Sequence, residues 1–308
     1  MSAVTYVEAI VVGALQGVSE LFPVSSLGHS ILLPAWLGGQ WQQDLSIGKG
    51  SPYLAVLVAM HVATALALVL FFRKDWVRII RGLWTSVRDR EVRTPDQRLA
   101  WLLVLATIPV GLAGLLFEGL LRDVLGKPVP AAIFLALNGG VLYAAEKFSH
   151  RRPEENDDTV DFSAEETLVM RAVTVEEATD VRLAKLRVGE AVLIGAAQIF
   201  ALLPGISRSG ITMVAGLRRG LGHEDAARFA FLLATPVILA AGVLKMPTLF
   251  APENHASLGP ALVGSVIAGV ASYISVRFLT GYFETRTLTP FAIYCVVAGI
   301  ASLIFFAV

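Results

Sequence analysis

Six stretches of this chain, roughly 53–72, 99–121, 129–147, 226–246, 258–279 and 289–308, are apolar for the length a helix needs to cross a bilayer. No other feature restricts the fold as tightly. The runs are continuous and rich in Ala and Leu rather than alternating, so they predict helices and not barrel strands. Composition points the same way: 55% of residues are hydrophobic and 16% are charged, where a soluble domain has about 45–50% and about 25%. Pro109 and Pro236 fall inside two of the runs, where a membrane helix tolerates a kink.

Two further apolar stretches, 7–37 and 189–217, are interrupted halfway. The first breaks at Phe22-Pro23-Val24-Ser25-Ser26-Leu27-Gly28-His29 and the second at Leu203-Pro204-Gly205-Ile206-Ser207-Arg208-Ser209-Gly210. Each half is too short to cross. Irregular backbone at membrane depth is tolerated where it is buried in protein or lines a wet cavity, so both stretches are expected to be re-entrant helix pairs. Nothing basic precedes the first of them, which sets it apart from a signal peptide.

The two broken stretches are alike. Glu8-Ala9-Ile10-Val11-Val12-Gly13-Ala14-Leu15-Gln16 aligns with Glu190-Ala191-Val192-Leu193-Ile194-Gly195-Ala196-Ala197-Gln198, with five identities in nine. Each is followed by three spans, an odd number, so the second copy must enter from the opposite face. The expected architecture is all-α: a polytopic membrane protein with inverted-topology repeats, six transmembrane helices and two re-entrant pairs. The first repeat covers 1–147, an acidic linker 148–188, and the second repeat 189–308.

Twenty-five basic residues balance twenty-five acidic ones, which argues against a nucleic-acid partner. Divided by membrane face, the balance disappears. Twenty Lys and Arg fall on the side of loops 73–98 and 148–188, four on the other (Lys49, Arg122, Lys127, Lys245), and Arg208 sits in the second break. By the positive-inside rule the twenty-residue face is cytoplasmic and both termini lie outside. The lone cysteine, Cys295, excludes an intramolecular disulfide.

The breaks carry the chemistry. Gln16 and Glu20 are one helical turn apart and share a face, and Ser25, Ser26 and His29 follow at once. Ionisable groups at membrane depth are costly and mark functional sites by default. In the second break Ser207, Arg208, Ser209, Gly210 and Thr212 open a helix, whose N-terminal N–H groups suit phosphate, and Arg208 adds a planar fork of donors. A carboxylate, a Ser–His pair and an anion cradle suit attack on a phosphoryl group. Glu20 with Gln16 could also hold a hard divalent cation such as Mg2+ or Ca2+, with phosphate oxygens completing its shell. His61, Thr64 and Asn138 are expected to be helix-packing hydrogen bonders.

At these residues the chain resembles the bacterial undecaprenyl-pyrophosphate phosphatases of the bacitracin-resistance type. The signatures stand as Gln16-Gly17-Val18-Ser19-Glu20, Pro23 to His29, and Pro204-Gly205-Ile206-Ser207-Arg208-Ser209-Gly210-Ile211-Thr212. Position 16 is Gln where many members have Glu. The resemblance implies hydrolysis of undecaprenyl diphosphate in the bacterial plasma membrane, recycling the cell-wall lipid carrier, with a divalent cation and a site open to the extracytoplasmic face. Carried over, it makes Ser26 the nucleophile with His29 as its base. Ser25, Gly205, Arg208, Ser207, Ser209, Gly210 and Thr212 would bind the diphosphate, Glu20 and Gln16 would hold the cation or orient His29, and Glu20 and Arg208 count with Ser26 and His29 as catalytic. Water activated by His29 or Glu20 is the competing mechanism, and Ser25 an alternative to Ser26. A transporter or flippase for a phosphorylated lipid would share the repeats and the cradle, but transport needs no nucleophile or base. The partners implied are the polyprenyl diphosphate and membrane lipids, and a homodimer is one assembly the sequence allows.

Overall fold

The computed structural model describes residues 4–47, 51–120, 126–149 and 175–307. Among these residues the protein is helical throughout, without strands. The first half runs α1 (Tyr6–Ser19), α2 (Ser26–Leu37), α3 (Gly39–Asp44), α4 (Pro52–Phe71), α5 (Arg73–Asp89), α6 (Pro95–Leu120) and α7 (Pro128–Ser149). After α8 (Val175–Ala184) the second half runs α9 (Val188–Ala197) with a 3-10 turn (Gln198–Leu202), α10 (Arg208–Arg218), α11 (His223–Leu249), a 3-10 turn (Pro252–Ser257), α12 (Leu258–Phe283) and α13 (Thr289–Ala307). Among the described residues six helices are long and apolar enough to span: α4, α6, α7, α11, α12 and α13. They coincide with the six runs read from the sequence, and the chain is a multi-pass membrane protein.

The four short helices at the breaks cannot cross. The longest, α1, has 14 residues, about 21 Å of helix against a hydrocarbon core of about 30 Å. Local chemistry starts α1: Thr5 caps it, accepting from the Glu8 N–H at 3.3 Å, while Glu8 Oε2 accepts the Thr5 N–H at 2.8 Å. The chain then turns at 20–25 and restarts at Ser26, capped by Ser25. The helices run unbroken through Pro109 and Pro236.

Packing between the halves is reciprocal. The first re-entrant helix, α1, lies on α12 of the second half, and α9 lies on α6 of the first. Both contacts rest on a glycine. A methyl at Gly13 would run into the backbone of Gly264, and one at Gly195 into the carbonyl of Ala106. Gly13 and Gly195 are the aligned glycines of the two similar stretches, so one small residue has the same task in each half: backbone-to-backbone approach of the kind that packs helices in lipid.

The basic segment at 73–98, read as a loop, is mostly helix. α5 buries Asp75, Ile79, Gly82 and Ser86 against the start of α6, where Trp101 donates to Ser86 Oγ at 3.0 Å and Gln97 to Thr85 Oγ1 at 3.0 Å. Of the acidic linker, 150–174 lies outside the described residues. Its remainder, α8, is not simply solvated: Asp180 is buried and paired with Arg78 (2.6 Å) and Arg228 (2.9 Å), which both also reach Asp75, at 2.5 and 3.0 Å.

Candidate active site

The site is the place where the two breaks meet. Ser25 adopts φ 69°, a conformation rare outside glycine, and this turns its hydroxyl toward the other half. Ser25 Oγ accepts the N–H of Gly28 at 3.2 Å and the N–H of Gly205 at 3.1 Å. Gly205 itself has φ 110° and sits against the backbone of Ala131 and Leu135, where no side chain fits. Asn138 of α7 ties the same junction, donating to the Pro23 carbonyl at 3.1 Å and accepting the Ser207 N–H at 3.0 Å. The hydroxyl of Ser209 donates to the Phe22 carbonyl at 3.2 Å and that of Ser207 to the same oxygen at 3.4 Å. Backbone groups of each turn are thus met by side chains of the opposing turn and of α7, as a water-poor setting demands.

On this junction Glu20 is the hub. It caps the C-terminus of α1 and is buried. Its Oε2 accepts from Ser26 Oγ in a short hydrogen bond and from Gln16 Nε2 at 3.0 Å, and lies 3.2 Å from His61 Nε2. Arg208 Nη2 faces Oε1 at 3.7 Å. A single carboxylate therefore joins a hydroxyl, an amide, an imidazole and a guanidinium drawn from both halves. His61 Nδ1 lies 2.8 Å from the Leu57 carbonyl, which orients the ring with Nε2 turned to Glu20.

Two polar atoms here are buried without a partner, Gln16 Oε1 and Arg208 Nη1. Such atoms are rare in finished protein interiors. One is an acceptor of the type a hard cation takes and the other a donor of the type phosphate takes. Among the described residues no three His, Cys, Asp or Glu side chains gather as a complete metal cage. The donor set of Gln16 and Glu20 fits a cation that brings most of its ligands with it, as phosphate-bound Mg2+ does.

A family model, the bacitracin resistance protein BacA, matches residues 9–301. The chain belongs to the BacA family. It is 61% identical over 304 residues to a protein of Mycolicibacterium paratuberculosis named undecaprenyl-diphosphatase, covering 98% of each chain. A Frankia casuarinae protein named undecaprenyl-diphosphatase 1 is 48% identical over the whole of both chains. A Chromobacterium violaceum protein named undecaprenyl-diphosphatase 2 is 40% identical over 97% of this chain and 98% of its own.

Within this BacA-family fold the expected residues separate into two groups. Gln16, Glu20, Ser26 and Arg208 come together. His29 does not join them through Ser26: its Nδ1 donates to the Ser25 carbonyl at 2.7 Å and its Nε2 meets the Tyr294 hydroxyl at 2.7 Å, while Ser26 turns to Glu20. The hydroxyls of Ser207, Ser209 and Thr212 are engaged with backbone, Thr212 with the Arg208 carbonyl at 2.7 Å. The Gly210 N–H is held by Ser207 Oγ at 3.1 Å. Two residues read as packing groups do more than that. His61 is part of the Glu20 cluster, and Asn138 bridges the breaks. The rule that singled out Glu20 and His29, an ionisable group at membrane depth, applied to His61 equally.

Proposed function

We propose that this chain hydrolyses undecaprenyl diphosphate to undecaprenyl phosphate and inorganic phosphate. The names of its relatives, shared over nearly the full length, support that reading. The single geometric observation behind it is the Ser26–Glu20 hydrogen bond held beside Arg208 at the crossing of the breaks. In this scheme Arg208 binds the terminal phosphoryl group and offsets the charge gathering on its oxygens. Ser26 Oγ attacks the terminal phosphorus as its proton passes to Glu20, and the bridging P–O bond breaks to release undecaprenyl phosphate. Water then attacks the phosphoserine, Glu20 returns the proton to Ser26 Oγ, and the water's hydrogens leave with the phosphate.

In this proposal the base is Glu20 in place of His29, which the Ser26–Glu20 hydrogen bond supports. His29, its Nε2 facing the Tyr294 hydroxyl, positions the Ser25 turn through the Ser25 carbonyl. A divalent cation, Mg2+ or Ca2+, would be held by Glu20 and the unpartnered Gln16 Oε1, and would supply charge neutralisation on the diphosphate. The halves are inverted repeats in this proposal, supported by the reciprocal packing of Gly13 and Gly195, with the basic loops cytoplasmic and the site open to the extracytoplasmic face.

The test is phosphate release from a prenyl diphosphate by purified protein, with rapid quenching to trap phosphoserine. Wild type should accumulate label on Ser26 and Ser26→Ala should lose turnover by at least about a thousandfold. If Ser26→Ala keeps most of its turnover, water attack replaces the covalent route. If wild type binds the lipid and releases no phosphate with Mg2+ or Ca2+ present, the activity itself is wrong.

A further inference from the structure

The helix α5 has two apolar faces, and protein covers one of them. Asp75, Ile79, Gly82 and Ser86 pack inward. On the opposite side Val77, Ile80, Trp84 and Val87 are each more than half exposed. Their spacings of three, four and three residues confine them to an arc of about 80°. Along one edge of that stripe run Lys74, Arg81 and Arg88, seven residues apart and all exposed. Five cations stand on α5 against two carboxylates, Asp75 and Asp89, of which Asp75 is turned inward and Asp89 pairs with Arg88 at 2.8 Å.

Geometry keeps this helix near the bilayer. Phe72 alone separates it from span α4, and the short turn 90–94 separates it from span α6. Both of its ends are therefore tied to spans at one membrane face. A second copy of the chain is a poor occupant of the stripe. In an antiparallel pairing along this seam Lys74, Arg81 and Arg88 would face their own counterparts, and in a parallel one Arg81 and Arg88 would face Trp76 and Leu83, with no acidic partner in either. An anionic lipid surface matches both the stripe and its edge.

We propose that α5 lies in the membrane interface, with Val77, Ile80, Trp84 and Val87 among the acyl chains. Lys74, Arg81 and Arg88 then rest on the phosphates of anionic phospholipids, and the protein gathers those lipids at its basic end. This surface is remote in sequence from both breaks and is independent of the reaction proposed above.

Full-length protein in nanodiscs of phosphatidylcholine, with and without phosphatidylglycerol, gives the test. Lipids brominated on the acyl chains should quench wild type more than Trp84→Phe, the difference reporting Trp84 alone among the five tryptophans. Native mass spectrometry should find phosphatidylglycerol enriched on wild type. That enrichment should fall about fivefold per cation removed in Lys74→Gln/Arg81→Gln and fall again in high salt. Absence of Trp84 quenching overturns the proposal, as does an enrichment indifferent to both the substitutions and salt. A dimer that shields Trp84 as protein concentration rises assigns the stripe to a second copy and also overturns it.

Discussion

His61 Nε2 lies 3.2 Å from Glu20 Oε2, on the oxygen that also accepts from Ser26 and Gln16. The imidazole comes from the middle of the span α4 and the carboxylate from the end of a helix that never crosses. His61 therefore fixes where Glu20 stands relative to Ser26 without touching Ser26 itself, as a positioning residue. Losing a hydrogen bond to a charged group costs about 1.5–3 kcal/mol. His61→Ala is expected to lower kcat by about 10–100-fold with KM nearly unchanged, and His61→Gln, which can restore one donor, to recover part of it. A steady-state comparison of the three proteins decides this; a variant that raises KM alone would mean that His61 binds substrate directly.

Asn138 serves two backbones at once, the Pro23 carbonyl and the Ser207 N–H. Asn138→Leu leaves the Ser207 N–H without its acceptor, at about 1–3 kcal/mol, and leaves the Pro23 carbonyl to the Cys295 thiol at 3.7 Å. Thermal unfolding in detergent should show that loss as a clearly lower Tm, whether or not substrate is bound. An unchanged Tm would mean that the breaks are held together by something other than this amide.

The aligned glycines give a paired test of the helix crossings. Gly13→Ala and Gly195→Ala each push a methyl into the backbone of the other half, whereas Gly111→Ala and Gly140→Ala enter open space. Overpacking of this kind costs about 1–3 kcal/mol or more, while the controls gain slightly from helix propensity. The first two should lower Tm and the last two should hold or raise it. Equal effects at all four positions would remove the argument for close approach.

What the sequence made legible follows the strength of the underlying signal. Apolar length is a one-dimensional property, so the six spans and the two breaks could be read to within a few residues. The pairing of Glu20 with His61 could not, since it depends on which face of α4 meets α1. Nor could the hydroxyls of Ser207 and Ser209 be assigned: a Ser at a helix start serves an anion or a neighbouring carbonyl equally well, and here the Phe22 carbonyl lies within reach. α5 was hidden by its charges. Averaged over the segment its hydropathy is that of a loop, although its apolar residues repeat at helical spacing.

Gln16 lies against Glu20 by donating Nε2 to it. Gln16→Glu exchanges that donor for a second buried carboxylate, which is unfavourable unless a cation stands between them. The cation concentration for half-maximal phosphate release should fall by about five- to tenfold, and Tm should become dependent on Mg2+ or Ca2+. Chelation should abolish turnover in both forms. A variant with wild-type cation dependence would place the cation elsewhere.

The four-charge cluster at the basic end is expected to specify the arrangement of α5, α8 and α11 rather than to stabilise it. Burial pushes the Asp180 carboxyl above its ordinary range, and the hydrogen bond and charge of Arg228 recover only part of that. A carboxyl whose folded pKa exceeds its unfolded one holds its proton more tightly when folded. Its contribution therefore favours the fold below the unfolded value near 3.8 and is lost as pH rises through the folded one. Asp180→Asn mimics the protonated form at every pH. It should match wild type near pH about 4 and show a higher Tm than wild type at neutral pH, where the wild-type carboxylate is buried with its charge. The same variant should loosen α8, seen as faster amide exchange across Val175–Ala184. A lower Tm at neutral pH would instead make Asp180 a net stabiliser of the fold.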